Sequence, residues 1–165
     1  CHRVAYLFAL QLTGQRDDAQ ELSQEAMVRF FGSLARFDAD RPLRPWLLRI
    51  VRNLARDRAR RLRVRRVEPL EPADDSMVLD PADPAPSPEE VVGRIELQRQ
   101  LWRAVRALPR KHREVVALRD YLDLSYDEIA AVLRIPRGTV MSRLHRARSR
   151  LREEIGGRLR KEVTA

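Results

Sequence analysis

Between residues 67 and 93 the chain carries eight Asp and Glu and six prolines (Pro69, Pro72, Pro81, Pro84, Pro86 and Pro88), but no Lys, no Arg and no aromatic residue. Such a stretch cannot bury enough apolar surface to fold by itself. It therefore divides the 165 residues into two flanks, each near the lower size limit for a domain with its own core. The flanks have the opposite charge. Residues 1–66 hold 15 Lys and Arg against 7 Asp and Glu, and residues 94–165 hold 18 against 9. The overall excess is +9. Two basic blocks separated by an acidic one suit a polyanionic partner, because each cation placed near a phosphate releases condensed counterions.

The composition favours helices over a sheet: aromatics are 5% of the chain and the blocks are rich in Arg, Leu and Ala. The expected fold is all-α, with two small helical domains at 1–66 and 94–165. An extended acidic, Pro-rich linker at 67–93 joins them, and Ser87 and Pro88 start the next helix. As a flexible coil, a linker of 27 residues spans about 30 Å. As a polyproline-like strand it reaches about 84 Å. One cysteine, Cys1, excludes an intrachain disulfide and agrees with a reducing compartment. No stretch is apolar for long enough to cross a bilayer and no signal peptide is visible, so no membrane insertion is expected.

In the first block a helix begins near residue 2 and ends at Thr13-Gly14. A second is expected from about Asp17 to Arg36, with apolar Ala19, Leu22, Ala26, Phe30 and Leu34 at helical spacing and Asp17 and Asp18 at its positive end. A loop through Asp38, Asp40 and Pro42 leads to a third helix near Pro45. Its buried stripe is predicted at Trp46, Leu47, Ile50, Val51, Leu54 and Leu62. Its other face carries Arg49, Arg52, Asn53, Arg56, Asp57, Arg60 and Arg61, where Arg56, Arg60 and Arg61 are expected phosphate binders.

In the second block one helix covers about Glu89 to Leu108 and stops at Pro109, and another runs from Lys111 to Leu122. Ser125-Tyr126-Asp127-Glu128 reads as a capping box opening a short helix to Leu133. After Arg134-Ile135-Pro136 a final helix begins, with Gly156-Gly157 expected to stop it. Short helix, tight turn and longer basic helix have the punctuation of a helix-turn-helix. On the last helix Val140, Leu144, Ala147, Leu151 and Ile155 share one face. Ser142, His145, Arg146 and Ser149 share the opposite one, flanked by Thr139 and Arg143. Short hydrogen-bonding groups followed by long cations are what a major-groove reader presents to base edges and phosphates. The alternative is an ordinary amphipathic helix with a solvated basic face. His2, His112 and His145 have no metal-ligand spacing with Cys1, and neither a nucleophilic triad nor a phosphate-cradling glycine loop is recognisable. No catalytic residue, metal, cofactor or small-molecule substrate is therefore expected.

Four blocks in one order carry a resemblance. They are Leu12-Thr13-Gly14 with Asp17-Asp18-Ala19 and Gln24-Glu25; then Arg36-Phe37-Asp38 through Arg41-Pro42 and Trp46-Leu47 to Arg52-Asn53-Leu54-Ala55-Arg56-Asp57; then Leu108-Pro109 with Arg113-Glu114-Val115-Val116; and Ser125 to Ala130 followed by Gly138-Thr139-Val140 and Ser142 to Arg148. With them the chain resembles the bacterial extracytoplasmic-function (ECF) sigma factors.

The resemblance implies that residues 1–66 are sigma region two, binding the polymerase clamp through the second helix (Asp18, Leu22, Gln24, Glu25). The loop and third helix would recognise and melt the minus-ten element through Phe37, Asp38, Arg41, Arg44, Trp46, Arg49, Arg52, Asn53, Arg56, Arg60 and Arg61. Residues 94–165 would be region four, reading the minus-thirty-five element through Arg137, Thr139, Ser142, Arg143, His145, Arg146 and Ser149. The implied partners are core RNA polymerase, promoter DNA as duplex and as melted single strand, and an anti-sigma factor, in the bacterial cytoplasm. The other reading is a helix-turn-helix regulator that binds duplex DNA without being a polymerase subunit. The chain departs from the family where Arg134 stands for the common turn glycine, at a cost of about 1 kcal/mol if the left-handed backbone that glycine permits persists. It departs again at Met141, where a lysine is usual, and at Gln20 and Ser23.

Overall fold

The computed structural model describes residues 1–38, 42–64 and 88–163, without the side chains of 63–64, 88–96 and 157–163. Among these residues every regular element is helical. In the first block α1 (His2–Thr13), α2 (Arg16–Ser33) and α3 (Leu43–Val64) pack together, with a 3₁₀ turn at Leu34–Arg36. In the second, α4 (Pro88–Ala107), α5 (Arg110–Val116), α6 (Tyr126–Leu133) and α7 (Arg137–Val163) follow. The acidic linker lies outside the described residues as far as 87. From Pro88 the chain is helical, at the start expected from Ser87-Pro88.

Gly14 ends α1 in the left-handed conformation (φ 81°), and its N–H donates to the Leu10 carbonyl at 2.8 Å. Asp17 and Asp18 lie in the first turn of α2, where the helix dipole favours negative charge. The first core is built by Ala5, Phe8, Ala19, Leu22, Ala26, Phe30, Leu47, Leu48 and Val51. Each large side chain removed from water there contributes about 1.5–3 kcal/mol. Leu62 was expected in the buried stripe of α3 but is 53% exposed. It stands two turns beyond Ala55, the last buried residue of that helix among those described.

Two further elements differ from expectation. The helix predicted as continuous from Lys111 to Leu122 widens over Ala117–Tyr121 into a π turn, closed by the Leu122 N–H on the Ala117 carbonyl at 3.1 Å. Leu118 within this turn and Leu122 just after it are both buried. The last helix does not stop at Gly156-Gly157 and continues to Val163. A mid-helix glycine costs about 1 kcal/mol, which good helix formers around it offset, and it ends a helix only by turning left-handed. Among the described glycines only Gly14 has positive φ.

The buried residues of the two blocks form one connected cluster. Helix α1 packs against α5, and α3 against α6. The seam between blocks is rich in arginine. Arg44 donates to the Leu122 carbonyl. Arg52 Nε donates to Glu114 Oε2 at 3.1 Å, and Arg110 Nε donates to Glu114 Oε1 at 2.9 Å. The Arg106 guanidinium fills the space beside Gly14 so closely that a Cβ there would lie 1.7 Å from its Nη1. That cation sits at the carboxyl end of α1, where a helix dipole favours positive charge.

Candidate nucleic-acid interface

The basic face of α3 divides into two parts. Asn53, Arg56, Arg60 and Arg61 are exposed. With Asp57, Ala59 and Arg110, the first three line an open cleft of about 490 Å³. Asp57 offsets part of this charge by accepting from Arg60 at 3.2 Å. The remaining cations are partly buried or engaged by other groups. Arg49 is half-buried, Arg44 is engaged by Leu122, and Arg52 is 13% exposed against a Glu114 carboxylate that is 4% exposed. Arg58, to which the sequence reading assigned no role, bridges α3 to α2 by donating to Asp18 and, at 2.9 Å, to Glu21. The hydrogen bond to Glu21 and the nearby carboxylates hold its pKa above the ordinary arginine value.

Trp46 is half-buried and bracketed by aromatics. Phe37 stacks on it with ring centroids 4.6 Å apart, and Phe30 lies 4.9 Å away. One side of the indole thus belongs to the core while Phe37 forms its cover at the mouth of the loop. Asp38 is exposed beside it. Arg41 lies outside the described residues. Of the residues assigned to polymerase binding, Gln24 and Glu25 are exposed on α2, and Arg29 donates to Glu25 at 2.6 Å. Leu22 is buried at 2% exposure and Asp18 is held by Arg58, so these two brace the helix. Sequence reasoning missed Val28 and Phe31, which stand exposed on α2 at a spacing of three.

In the second block the capping box is formed. The Ser125 hydroxyl accepts from the Glu128 N–H at 3.3 Å, while the Ser125 N–H donates to the Glu128 carboxylate at 2.8 Å. Arg134 closes α6 with φ 52° and ψ 53°, so the left-handed conformation that a glycine would permit there persists. Pro136 then starts the last turn, its carbonyl accepting from Thr139 and Val140. Val140, Leu144 and Ala147 are buried, with Leu151 packed half-buried against them. Ser142, His145 and Arg146 are exposed, and Thr139, Arg143 and Ser149 are half-buried at the edges of that face. The Ser142 hydroxyl donates back to the Thr139 carbonyl at 3.1 Å, which leaves its oxygen free to accept. Arg137 reaches Asp127 at 3.4 Å on the surface, and Met141 is exposed.

Beneath α7 the ring of His112 is 3% exposed, and neither nitrogen has a partner among the described residues. Burial, reinforced by Arg150, Lys111, Arg146 and Arg143, pushes its pKa down. Arg113 is lowered to about 10 by burial beside Arg106 and Arg110. What this arrangement offers is binding chemistry: two long helices with outward cations, an aromatic stack beside one of them and short hydroxyl donors on the other. Among the described residues no group of three or more His, Cys, Asp or Glu is placed to hold a metal, and no helix is long and apolar enough to cross a membrane.

Residues 1–65 match the family description "Sigma-70 region 2", and residues 98–151 match "Sigma-70, region 4". The chain is 39% identical over 148 residues to the ECF RNA polymerase sigma factor SigE of Mycolicibacterium smegmatis, covering 90% of this chain and 56% of that protein. It is 32% identical over 153 residues to SigW of Bacillus subtilis, covering 91% and 82%. Among solved structures, the sigma factor RpoE in complex with the anti-sigma factor NepR from Bartonella quintana superimposes with a TM-score of 0.72. That match has 25% identity and covers 94% of this chain and 91% of the other. CnrH in complex with the cytosolic domain of CnrY gives 0.63 at 27% identity, covering 94% and 83%.

Proposed function

Because the chain belongs to the ECF sigma factors, we propose that it binds core RNA polymerase and directs promoter recognition, DNA melting and the start of transcription. It acts as a dissociable, cytoplasmic subunit and performs no covalent chemistry. The observation that supports this reading best is the pairing of two outward basic surfaces, one on each family region. Exposed His145 and Arg146 crown a correctly capped helix-turn-helix on region four. Exposed Asn53, Arg56 and Arg60 line a cleft on region two, on the helix that also carries Trp46 stacked on Phe37.

In this reading α7 enters the major groove at the minus-thirty-five element, with Arg146 and His145 towards bases and phosphates. The α3 face and the Phe37–Trp46 stack receive the melted minus-ten strand, since single strands are held by cations along the backbone and aromatics against the bases. Exposed Gln24 and Glu25, with neighbouring Val28 and Phe31, meet the polymerase clamp. An anti-sigma factor is proposed as a further partner, because both superimposable structures are complexes, one of them that of RpoE with the anti-sigma factor NepR.

The test is in vitro transcription with core polymerase on a genomic promoter library. A discrete set of transcripts that requires this chain, and that Glu25→Arg diminishes together with co-elution on core polymerase, is the expected result. Tight, specific duplex binding by the isolated protein with no polymerase-dependent transcript would instead identify a stand-alone regulator.

A further inference from the structure

Two of the DNA-assigned arginines of α3 are engaged by the other block. Arg44 is bound by the carbonyl of Leu122, 78 residues away, and Arg52 by the carboxylate of Glu114, 62 residues away. Both acceptors belong to region four. The Glu114 carboxylate has each of its oxygens taken by a guanidinium Nε, from Arg52 at 3.1 Å and from Arg110 at 2.9 Å. Two oxygens of one anion shared between two guanidinium groups is also how a DNA phosphate is gripped. We propose that Glu114 occupies the place of a strand phosphate on region two, so that docking of region four and binding of single-stranded DNA by α3 exclude one another. The proposal rests on the reading of α3 as a DNA-binding face.

The charge of the seam explains why a nucleic acid can displace this contact. Arg52 and Arg110 meet there on Glu114, and on the region-four side lie Arg106, packed beside Gly14, and Arg113, which donates to the Arg106 carbonyl at 3.2 Å. Burial lowers Arg106, and Arg113 is lowered by burial and, after it, by the neighbouring charges of Arg106 and Arg110. One anion therefore balances several cations. A strand entering the neighbouring cleft at Asn53, Arg56 and Arg60 brings a phosphate every few ångströms and can satisfy Arg52 as well. Separation of the blocks then relieves the repulsion between their arginines. Linkage makes the effect reciprocal: docked region four lowers the affinity of α3 for a strand by the factor by which the strand weakens docking.

The experiment uses the full chain with dyes on Cys1 and on Glu153→Cys, both exposed positions at opposite blocks, and a random-sequence single-stranded DNA oligonucleotide. The oligonucleotide should reduce energy transfer in the otherwise wild-type chain, with a midpoint that tracks its binding. Glu114→Gln, which keeps shape and removes charge, should reduce transfer without DNA and bind the oligonucleotide roughly fivefold or more tightly. Equal transfer with and without saturating oligonucleotide overturns the proposal, as does a folded Glu114→Gln chain that binds like the parent. If Glu114→Gln loses its helicity, the dye titration of the parent decides. An Arg56→Ala, Arg60→Ala chain separates the two layers. Unchanged oligonucleotide binding there removes α3 as a DNA face and the proposal with it. Weakened binding there, with transfer insensitive to DNA, removes the exclusion alone.

Discussion

Helices α3 and α7 look alike in sequence, each an apolar stripe backed by arginines, yet they hold their cations differently. On α3, Arg52 and Arg44 are fixed by acceptors from the other block, and Arg58 is fixed by α2. On α7, Arg146 is exposed with no ion pair or hydrogen bond among the described residues, and Arg148 pairs with Asp120 in its own block. The density of arginine is thus a poor guide to the availability of arginine. What separates the helices is where the few carboxylates and open carbonyls fall once the chain has folded.

The contrast is sharpest in stability. Arg52→Ala removes one partner of a buried carboxylate and should destabilise the protein by about 3 kcal/mol. That is the low end for breaking a buried pair, because Arg110 stays on Glu114. Arg146→Ala should change stability by less than about 0.5 kcal/mol. Urea unfolding of both variants compares the helices directly, and equal losses would erase the distinction.

Function should reverse that order for α7. Arg146→Ala is expected to weaken promoter binding by about 1–3 kcal/mol while holoenzyme assembly is retained. Footprinting of the holoenzyme on an identified promoter checks this, and wild-type occupancy would mean that this face does not read DNA.

A smaller effect belongs to the turn that aims α7. Arg134 is left-handed, so Arg134→Gly should stabilise region four by about 1 kcal/mol, read as a higher thermal midpoint. The smallest expected effect concerns His112 beneath the same helix. Its pKa in the folded chain lies below the unfolded value of about 6.5, so the unfolded chain binds the proton more readily. Stability is then fully present above pH of about 6.5 and falls as the pH drops from there towards the folded value. Unfolding midpoints at successive pH values should show this decline, and His112→Leu should flatten it.

Much of this was legible in the sequence because it is local. Ser125 and Glu128 announce the capping box three residues apart, Gly14 announces the end of α1, and the spacing of Val140, Leu144 and Ala147 announces the buried side of α7. The left-handed backbone at Arg134 is one that the family's usual turn glycine pointed to and that the local residues left open. The misses concern matters that spacing does not carry. Leu62 continues the apolar period of α3 after the packing partners have run out. Gly156 and Gly157 carry the composition of a stop without the backbone geometry of one. The π turn adds one residue to a helix whose apolar residues still read as helical. Glu114 looks like a surface helix residue until Arg52 arrives from 62 positions away. Region-four residues were readable as a face, whereas Arg44 and Arg52 of the region-two face depended on partners that only the assembled fold supplies.

Helix α6 is bracketed by the two non-glycine residues with positive φ among those described, Asp123 at 51° and Arg134 at 52°. A glycine at either position would be relaxed there, but it would also open a wide range of neighbouring backbone angles. A residue with a Cβ has only a narrow left-handed well, and leaving it means a jump to a distant conformation rather than a small drift. The short helix therefore has stiff joints at both ends. Small thermal excursions of α6 relative to α5 and α7 are damped, and α7 is presented at one angle rather than a spread of angles. The chain accepts a strained backbone at two points and gains aim.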